Sequence, residues 1–316
     1  MKLSEFKLNH KDFKTFGRGL QRPECVWIDD EGIWVSDIRG GVANVMTSTE
    51  PTLLGSGIAV PNGFSRRPDG SFVVAGIGDG CFYLIAPDGK TRVLSDNFDG
   101  KPLGTVNYAC ADGTDRIWLS MMTRKPQWAD ALTSPETDGY IVRIDGEGAG
   151  GEIVADGLDS TNEVKISPDG HYLYAAETLG CRVVRFPIRS DGSLGNRETF
   201  GPECLGRGAF PDGISFDGSG NLWVTLVSQN GLMVIDRHGD AHIVYRDMNE
   251  PAVEAMVTCV ERRSCTLDHL LACTSKAGPL PLPTSIAFGG PGGRTAYVGS
   301  LTLTHLPTFK LPEELE

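Results

Sequence analysis

The chain has 316 residues, of which 40% are apolar, enough for a sizeable hydrophobic core. Its 41 acidic and 29 basic side chains give a formal net charge of −12, which argues against a nucleic-acid partner held through phosphates and against an anionic membrane surface. No apolar run reaches the roughly 18 residues of a membrane span, and no apolar segment follows the N-terminal lysines, so we expect a cytoplasmic protein.

Short strands recur along the whole chain, each entered through a turn that contains glycine or aspartate. Six runs each carry an aromatic residue at a comparable point: 32–38 (Trp34), 71–77 (Phe72), 116–122 (Trp118), 171–178 (Tyr172), 221–227 (Trp223) and 295–301 (Tyr297). Four of these runs are followed by a further predicted strand, at 81–90, 140–148, 181–192 and 232–240. Units of about four short strands at a period of about 40 to 50 residues are typical of propeller blades. We therefore predict an all-β, six-bladed β-propeller that occupies residues 1–316 as a single domain.

One segment, 249–276, departs from the strand pattern and lengthens the last interval. Asn249 can cap a helix and Pro251 suits its first turn. Apolar residues at helical spacing predict two short helices: Val253, Met256, Val257 and Val260 in the first, Leu267, Leu270 and Leu271 in the second. We predict a helical insertion in or before the last blade, which either packs over one face of the propeller or forms a lid over a pocket.

Each unit also places one polar residue eight positions before its turn glycine, or before Asp115 in the third unit. These residues are Glu24, Asn62, Asn107, Asn162, Asp212 and Ser285. We expect them in the loops that precede the innermost strands, where equivalent points of the six blades surround the central channel. Turn formation explains any one of these positions, as in the PDG tripeptides. The register of all six, with a glutamate among them, favours a shared site.

A site of this composition favours a hard cation. Two carboxylates held together, Glu24 and Asp212, repel each other unless a cation compensates their charge. With the amides of Asn107 and Asn162 they form an all-oxygen set, which suits Ca²⁺ first and Mg²⁺ or Mn²⁺ as alternatives, with Zn²⁺ as a further one. We predict one divalent cation at this site.

The motifs RPECVW, STNEVKISPDGHYLYAAET, FPDGISFDGSGNLWVT and PTSIAFGGPGGRTAYVGSL are similar to those of the senescence-marker-protein, gluconolactonase and luciferin-regenerating-enzyme family. The resemblance runs from Pro23 to Phe309. It implies a six-bladed propeller with one catalytic divalent cation in the axial channel. It also implies a ligand set, with the last residue acting as general base: Glu24, Asn107, Asn162 and Asp212.

The sequence departs from the sugar-lactonase members of that family at three positions near the ligands. Thr105 stands where those members carry an arginine that holds substrate hydroxyls, Tyr108 where an aspartate is usual, and Glu163 where glycine is frequent. Glu163 is also a second candidate carboxylate for catalysis. Together with Asn62 and Ser285, these residues are expected around the cation or the substrate. Thr105 and the helical insertion favour a substrate with fewer hydroxyls than an aldonolactone.

The resulting hypothesis is a metal-dependent hydrolase that opens a lactone or related cyclic ester of low molecular weight. No GxSxG nucleophile elbow is present, which disfavours a serine hydrolase. Two alternatives stay open: a phosphotriester hydrolase that uses the same metal site, and a non-enzymatic propeller that binds a divalent cation or a partner protein. Candidate walls of an apolar cleft are Trp27, Tyr108, Met121, Met122 and Trp128, of which all but Tyr108 and Trp128 are more simply explained as core residues.

Overall fold

The computed structural model describes residues 1–45, 50–114, 116–146, 151–313 and 315. Its dominant feature is a set of six four-stranded antiparallel sheets, whose innermost strands pack against one another in a closed ring. The predicted six-bladed β-propeller is thereby confirmed. The turn position Asp115 and the last two residues of the predicted strand 140–148 lie outside the described residues.

The strands are numbered in chain order, and one two-stranded ribbon accompanies the blades. They are β1 (Lys14–Phe16), β2 (Val26–Asp29), β3 (Gly32–Asp37), β4 (Gly41–Asn44), β5 (Thr52–Leu54), β6 (Pro61–Arg66), β7 (Phe72–Gly76), β8 (Cys81–Ile85), β9 (Thr91–Ser95), β10 (Asn97–Phe98), β11 (Lys101–Pro102), β12 (Thr105–Ala111), β13 (Arg116–Thr123), β14 (Gly139–Asp145), β15 (Gly151–Leu158), β16 (Thr161–Ile166), β17 (Tyr172–Glu177), β18 (Arg182–Pro187), β19 (Glu198–Thr199), β20 (Pro211–Phe216), β21 (Leu222–Leu226), β22 (Gly231–Ile235), β23 (Ala241–Arg246), β24 (Pro283–Gly289), β25 (Thr295–Ser300) and β26 (Leu306–Lys310).

The blades follow one another along the chain, each running from its innermost to its outermost strand. The first five are β2–β5, β6–β9, β12–β15, β16–β19 and β20–β23, with β10 and β11 forming the ribbon. The sixth is built from β24, β25 and β26, and the N-terminal strand β1 is its outermost strand, with Lys14 opposite Thr308. The start and the end of the chain therefore close the propeller together.

The aromatic-marked runs are the second strands of the blades, and their rings fill the space between neighbouring sheets. Trp118 and Trp223 are fully buried. The rings of Trp34 and Phe72, from the first and second blades, lie 4.8 Å apart between centroids. One large aromatic residue per blade thus supplies much of the apolar area that holds adjacent blades together.

The polar residues in register do not lie in loops, except for Glu24, which lies two residues before β2. The other five are inside the innermost strands β6, β12, β16, β20 and β24, so the loop prediction is wrong for them. The pairing with the second strand shifts register across or beside these positions, for example between Pro211 and Ile214. Such bulges bend a strand and re-aim a side chain, which explains why turn-like sequences begin these strands.

Helices are few and short. Helix α1 (Trp128–Ala131) connects β13 and β14, and α2 (Glu250–Glu261) and α3 (Leu267–Ala272) lie between β23 and β24. The predicted insertion before the last blade is therefore confirmed. Four 3-10 turns complete the elements: Leu3–Glu5, His10–Asp12, Val227–Gln229 and Pro291–Gly293. Among the described helices, none has the length and apolar character needed to cross a membrane.

Asn249 takes the N-cap position of α2 but does not cap it with its side chain. Its amide instead donates a hydrogen bond to the carbonyl of Ala272 at the end of α3, over 3.1 Å. Asn249 thus ties the two helices of the insertion together, a pairing that the local sequence pattern does not reveal. Pro251 lies in the first turn of α2, as predicted.

Candidate metal centre and cavity

Four of the predicted site residues line one cavity of about 290 Å³ on the face of the propeller where the innermost strands begin. They are Glu24, Asn107, Asn162 and Asp212, from the first, third, fourth and fifth blades. Their exposed fractions are 3%, 3%, 3% and 8%, so all four are buried among protein atoms. Asn62 lines the same cavity, whereas Thr105, Tyr108, Glu163 and Ser285 do not.

Unusual backbone conformations precede three of these residues. Arg22, Val60 and Ser160, each two positions before its polar residue, adopt left-handed φ values of 52°, 51° and 58°. Residues with side chains rarely adopt such angles, and strain of this kind clusters at functional sites. These three residues lie in the segments that lead into β2, β6 and β16.

A repeated hydrogen bond holds these entry segments in place. In four blades, the amide that follows the second strand donates to a carbonyl just ahead of the innermost strand. The pairs are Ile77 with Val60 (3.2 Å), Thr178 with Ser160 (3.0 Å), Val227 with Phe210 (3.2 Å) and Leu301 with Leu282 (3.2 Å). Because the two strands are antiparallel, the end of the second strand lies beside the start of the innermost strand of the same blade. The residues that follow the second strands therefore also reach the cavity.

Two glycines next to the site allow neighbouring innermost strands to approach closely. A Cβ added at Gly63 would lie 2.1 Å from Cδ2 of Tyr108, and one at Gly213 would lie 2.2 Å from the carbonyl oxygen of Thr284. Neither glycine has a left-handed φ. In the PNG and PDG sequences that contain Asn62 and Asp212, glycine is therefore required for strand packing and not for a turn.

The four residues Glu24, Asn107, Asn162 and Asp212, which come from four of the six blades, form what we call the ring. The surroundings of their oxygen atoms indicate whether a cation fits. Glu24 Oε2, Asn107 Oδ1 and Asn162 Oδ1 are buried and have no hydrogen-bond partner. Unpartnered buried oxygens are costly in a protein interior, and a divalent cation is a natural partner for a group of them. Within the described ranges, no three His, Cys, Asp or Glu side chains are grouped to hold a metal, and this set includes two amides. The donor set fits a hard cation.

The two carboxyl groups of the ring have raised pKa values. Burial raises the pKa of Glu24 from 4.5 to about 7, against the opposing effects of the Arg22 charge and a hydrogen bond with Asn62. Burial also raises the pKa of Asp212 well above 3.8, and the negative charges of Glu24 and Glu163 add to that rise. A cation held between the two acids would remove the desolvation and repulsion that cause these shifts.

Arg22 is a cavity residue that sequence reasoning missed. Its guanidinium lines the cavity beside the ring and donates to the Pro61 carbonyl over 3.2 Å and to Asn62 Oδ1 over 3.0 Å. The amide nitrogen of Asn62 donates in turn to the main-chain carbonyl of Asn107 over 3.0 Å. Asn62 is therefore a link between Arg22 and the ring. The position of Arg22 two residues before Glu24 was the available signal.

A further group of buried polar side chains does not line the cavity. Oε2 of Glu163 accepts a hydrogen bond from the amide of Ile214 over 3.0 Å, and Glu163 also bonds with Ser285. Burial raises the pKa of Glu163, while the charge of Lys165 opposes the rise. The Lys165 ammonium lies 4.5 Å from the centroid of the fully buried Tyr108 ring and contacts its hydroxyl. Glu163 affects the four residues through its charge, which contributes to the raised pKa values of Asp212 and Glu24.

Thr105 does not line the cavity. It is fully buried, and its hydroxyl donates to the carbonyl of Lys125 over 3.0 Å. This bond connects the start of β12 to the segment after β13. The hydroxyl of Thr105 therefore has a structural role.

The helices supply the outer walls of the cavity. Met256 of α2 and Leu267, Leu270 and Leu271 of α3 line it, and Trp128 of α1 faces them. Met122, near the end of β13, lines it as well, whereas the other candidate wall residues Trp27, Tyr108 and Met121 do not. The insertion thus covers the ring, and an apolar cluster behind α2 and α3 holds it against the propeller.

Other wall residues come from the ends of the second strands. Ile77, Thr178, Val227 and Leu301 follow β7, β17, β21 and β25 directly and line the cavity. Each lies a few positions after the aromatic marker of its blade. The spacing between the aromatic residue and the wall residue is present in the sequence. It predicts a wall position only when each second strand is known to end at the face where the innermost strands begin.

Three comparisons place this geometry among known proteins. The family model described as the SMP-30/Gluconolactonase/LRE-like region matches residues 22–260. A relative named 6-deoxy-6-sulfogluconolactonase, from Pseudomonas putida, is 25% identical over 239 residues, which cover 75% of this chain and 67% of that protein. Two Arabidopsis thaliana relatives named strictosidine synthase-like match over only 42% and 35% of their own lengths.

Solved structures share the fold at low sequence identity. A gluconolactonase from Xanthomonas campestris superimposes with a TM-score of 0.70 at 20% identity, covering 95% of this chain and 89% of that one. A calcium-binding protein, the regucalcin of Agrobacterium tumefaciens, gives a TM-score of 0.61 at 15% identity, with 98% and 94% covered. At these identities the likeness supports the propeller fold.

Proposed function

Because this chain belongs to the SMP-30/gluconolactonase/LRE-like family, we propose that it is a metal-dependent hydrolase that opens a lactone or a related cyclic ester. The observation that carries the proposal is the ring at the cavity floor. Glu24, Asn107 and Asn162 each direct a buried, unpartnered oxygen to one small space that Asp212 also lines. The names of relatives in the family, which include gluconolactonases, support the same reaction class.

Glu24, Asn107, Asn162 and Asp212 are the residues that would hold the cation, with Ca²⁺ as the first choice for an all-oxygen set. When bound, a divalent cation supplies Lewis-acid polarisation of a carbonyl oxygen and lowers the pKa of water. The chain prepares the set by orienting its amides. The nitrogen of Asn162 donates to the hydroxyl of Thr178 over 3.1 Å, which leaves the oxygen of Asn162 for the cavity.

Asp212 is the proposed general base. It lines the cavity, and burial together with the charges of Glu24 and Glu163 raises its pKa. A bound cation would lower this pKa, while burial and the charge of Glu163 would act against that lowering, so that Asp212 keeps more basicity than an exposed carboxylate ligand would. Asp212 takes a proton from the attacking water and returns it to the ring oxygen when that oxygen leaves. The charge of Arg22 and the hydrogen bond from Asn162 oppose the rise in this pKa.

The reaction balances with water as the second substrate. The water oxygen forms a bond to the carbonyl carbon, the bond between that carbon and the ring oxygen breaks, and the proton from Asp212 ends on the released hydroxyl group. The product is a hydroxycarboxylic acid, which ionises and releases one proton. Arg22 lines the cavity with a guanidinium that has donors beyond its two bonds, and it can pair with the new carboxylate.

The direct test measures proton release during turnover of a panel of lactones, aryl esters and phosphotriesters. The same measurement is then repeated with the EDTA-treated protein. Lactone turnover should be lost in EDTA and restored by Ca²⁺, Mg²⁺, Mn²⁺ or Zn²⁺. Unchanged turnover in EDTA would contradict a metal-dependent reaction. Turnover of phosphotriesters alone would select that alternative. Cation binding without turnover of any substrate would select a non-enzymatic, cation-binding propeller.

A further inference from the structure

The cavity above the ring has two chemically distinct parts. Its floor carries the four ring residues together with Arg22 and Asn62, whereas twelve of its nineteen lining residues are apolar. Most of the apolar residues lie above the ring, at the ends of the second strands and on the three helices. A molecule whose carbonyl group reaches the floor therefore places the rest of its atoms against hydrocarbon.

The polar side chains outside the ring have little hydrogen-bonding capacity left for a substrate. Asn62 accepts from Arg22 and donates to the carbonyl of Asn107. The hydroxyl of Thr178 donates its single proton to the carbonyl of Pro211 over 2.7 Å and accepts from Asn162. Of the three lining polar residues outside the ring, Arg22 alone keeps spare N–H donors, and a guanidinium accepts nothing.

This arrangement decides between two kinds of lactone. A sugar lactone carries several hydroxyl groups, and each one that loses water without gaining a protein partner weakens binding. A lactone with a hydrocarbon substituent loses nothing in the same place and gains from leaving water. We propose that the substrate is a lactone with an alkyl or similar apolar substituent, held with its ester group at the ring and its hydrocarbon under α1, α2 and α3. This inference rests on the proposed hydrolase function.

Two leucines of α3 extend the apolar wall to the mouth of the cavity. Leu267 and Leu271 are 43% and 41% exposed, which is high for leucine, and both line the cavity. A substituent too long for a cavity of about 290 Å³ would emerge between the helices and cover these side chains. The walls thus fit an aliphatic chain that continues outward from the lactone ring.

The test is a comparison of kcat/KM among lactones of one ring size with the cation-loaded protein. The series is δ-valerolactone, δ-hexalactone, δ-octalactone and δ-decalactone, with glucono-δ-lactone as the hydroxylated counterpart. Each added methylene that becomes fully buried should raise kcat/KM by up to about fourfold, until the chain leaves the cavity. Glucono-δ-lactone should be the poorest substrate of the set.

The outcomes separate the substrate class from the reaction. If glucono-δ-lactone is turned over as well as or better than the alkyl lactones, the apolar substrate class is wrong and the hydrolase function stands. If no lactone is turned over, the hydrolase function fails and the substrate class fails with it. A kcat/KM that is independent of chain length also overturns the proposal.

A variant pair locates the effect. Leu271→Gln should flatten the dependence on chain length and lower kcat/KM for δ-decalactone about fivefold or more relative to δ-valerolactone. Val93→Gln is the matched control, since Val93 is 49% exposed on β9 and does not line the cavity. It should leave the whole series unchanged. An equal effect of both substitutions would contradict a role for the α3 wall.

Discussion

Asn162 is oriented by Thr178: the amide nitrogen of Asn162 donates a hydrogen bond to the hydroxyl of Thr178 over 3.1 Å, and that hydroxyl donates to the carbonyl of Pro211 over 2.7 Å. The chain of bonds fixes which end of the amide faces the cavity. It also connects the fourth blade with the fifth, because Pro211 directly precedes Asp212 in β20. One hydroxyl thus positions two of the four ring residues.

Substitution of Thr178 should therefore weaken cation binding without removing a ligand. Partners that orient metal ligands contribute about 10- to 100-fold to metal affinity, and Thr178→Val keeps the shape of the side chain while deleting the hydroxyl. We expect its Kd for Ca²⁺ to rise by about that factor in a calorimetric titration. Thr178→Ser, which retains the hydroxyl, should bind nearly as the natural protein does. Equal Kd values for the valine and serine variants would argue against an orienting role.

Asp212→Asn should separate catalysis from folding. The amide keeps the shape of the side chain but cannot accept the proton of the attacking water, and loss of a general base typically lowers the rate by about 10²- to 10⁴-fold. We expect kcat for the best lactone of the panel, measured at saturating Ca²⁺, to fall by that factor, while the circular dichroism spectrum stays that of the natural protein. Retention of kcat within threefold would assign the base to another group, with Glu163 as the next candidate.

The stability of the cation-free protein should decrease as the pH rises. The pKa of Glu24 is about 7 in the folded chain against 4.5 as its usual value, so the folded state binds this proton more tightly than the unfolded state does. The contribution of Glu24 is complete below pH 4.5 and is lost as the pH rises through 7. Between pH 5 and pH 8 the loss is about 2 to 3 kcal/mol.

Urea denaturation in EDTA at the two pH values measures this loss. Glu24→Gln removes the titrating group, so the difference between variant and natural protein isolates the contribution of Glu24 from those of other groups. Saturating Ca²⁺ should restore stability at pH 8, because a ligand that binds only the folded state stabilises it. The same pH dependence in both proteins would show that Glu24 does not titrate in this range.

Gly213→Ala should destabilise the propeller. A Cβ at this position would lie 2.2 Å from the carbonyl oxygen of Thr284 and 2.5 Å from Cα of Ser285, so the strands β20 and β24 would have to separate. Overpacking of this kind costs about 1 to 3 kcal/mol. The matched control is Gly218→Ala, since no atom lies within 4 Å of a Cβ there. A free energy of unfolding in urea that is equal for the two variants would contradict the close strand approach.

The blade repeat was readable from the sequence because each blade must bury one large aromatic residue against its neighbour. Trp34, Phe72 and Trp118 recur at the blade period for this reason. The eight-residue offset was readable as well, since a strand and a tight turn of constant length separate the polar residue from the turn glycine. The offset located the residues in chain order, but it did not distinguish a loop from a bulged strand, because Asn, Asp and Gly favour both.

Side-chain direction was the part that the sequence could not supply. Thr105, Tyr108 and Ser285 are predicted site residues that do not line the cavity. For Tyr108 the reason is that successive residues of a strand alternate between its two faces. Bulges in β12 and β24 shift this alternation further. Arg22 and Thr178 belong to the site through bonds between blades, which no local pattern encodes.

The helical insertion shows a similar division. The helical spacing of Val253, Met256 and Val257 predicted a helix with one apolar face, and all three are buried. The choice between packing and a lid could not be made from that stripe, since the same face does both. Met256 lines the cavity while Val253 and Val257 pack in the cluster behind it. The bond between Asn249 and Ala272, which fixes the position of α3, likewise joins residues far apart in sequence.

The most direct measurement is a calorimetric titration of EDTA-stripped protein with CaCl₂ at pH 8, repeated with Glu24→Gln, Asn107→Leu, Asn162→Leu and Asp212→Asn. If oxygens from four blades jointly hold one cation, the titration should show a single Ca²⁺ site per chain. Each of the four substitutions should lower the Ca²⁺ affinity, and the control Val93→Gln should leave it unchanged. Absence of binding, or a stoichiometric site that persists unchanged in all four variants, would contradict the metal centre on which the proposed function depends.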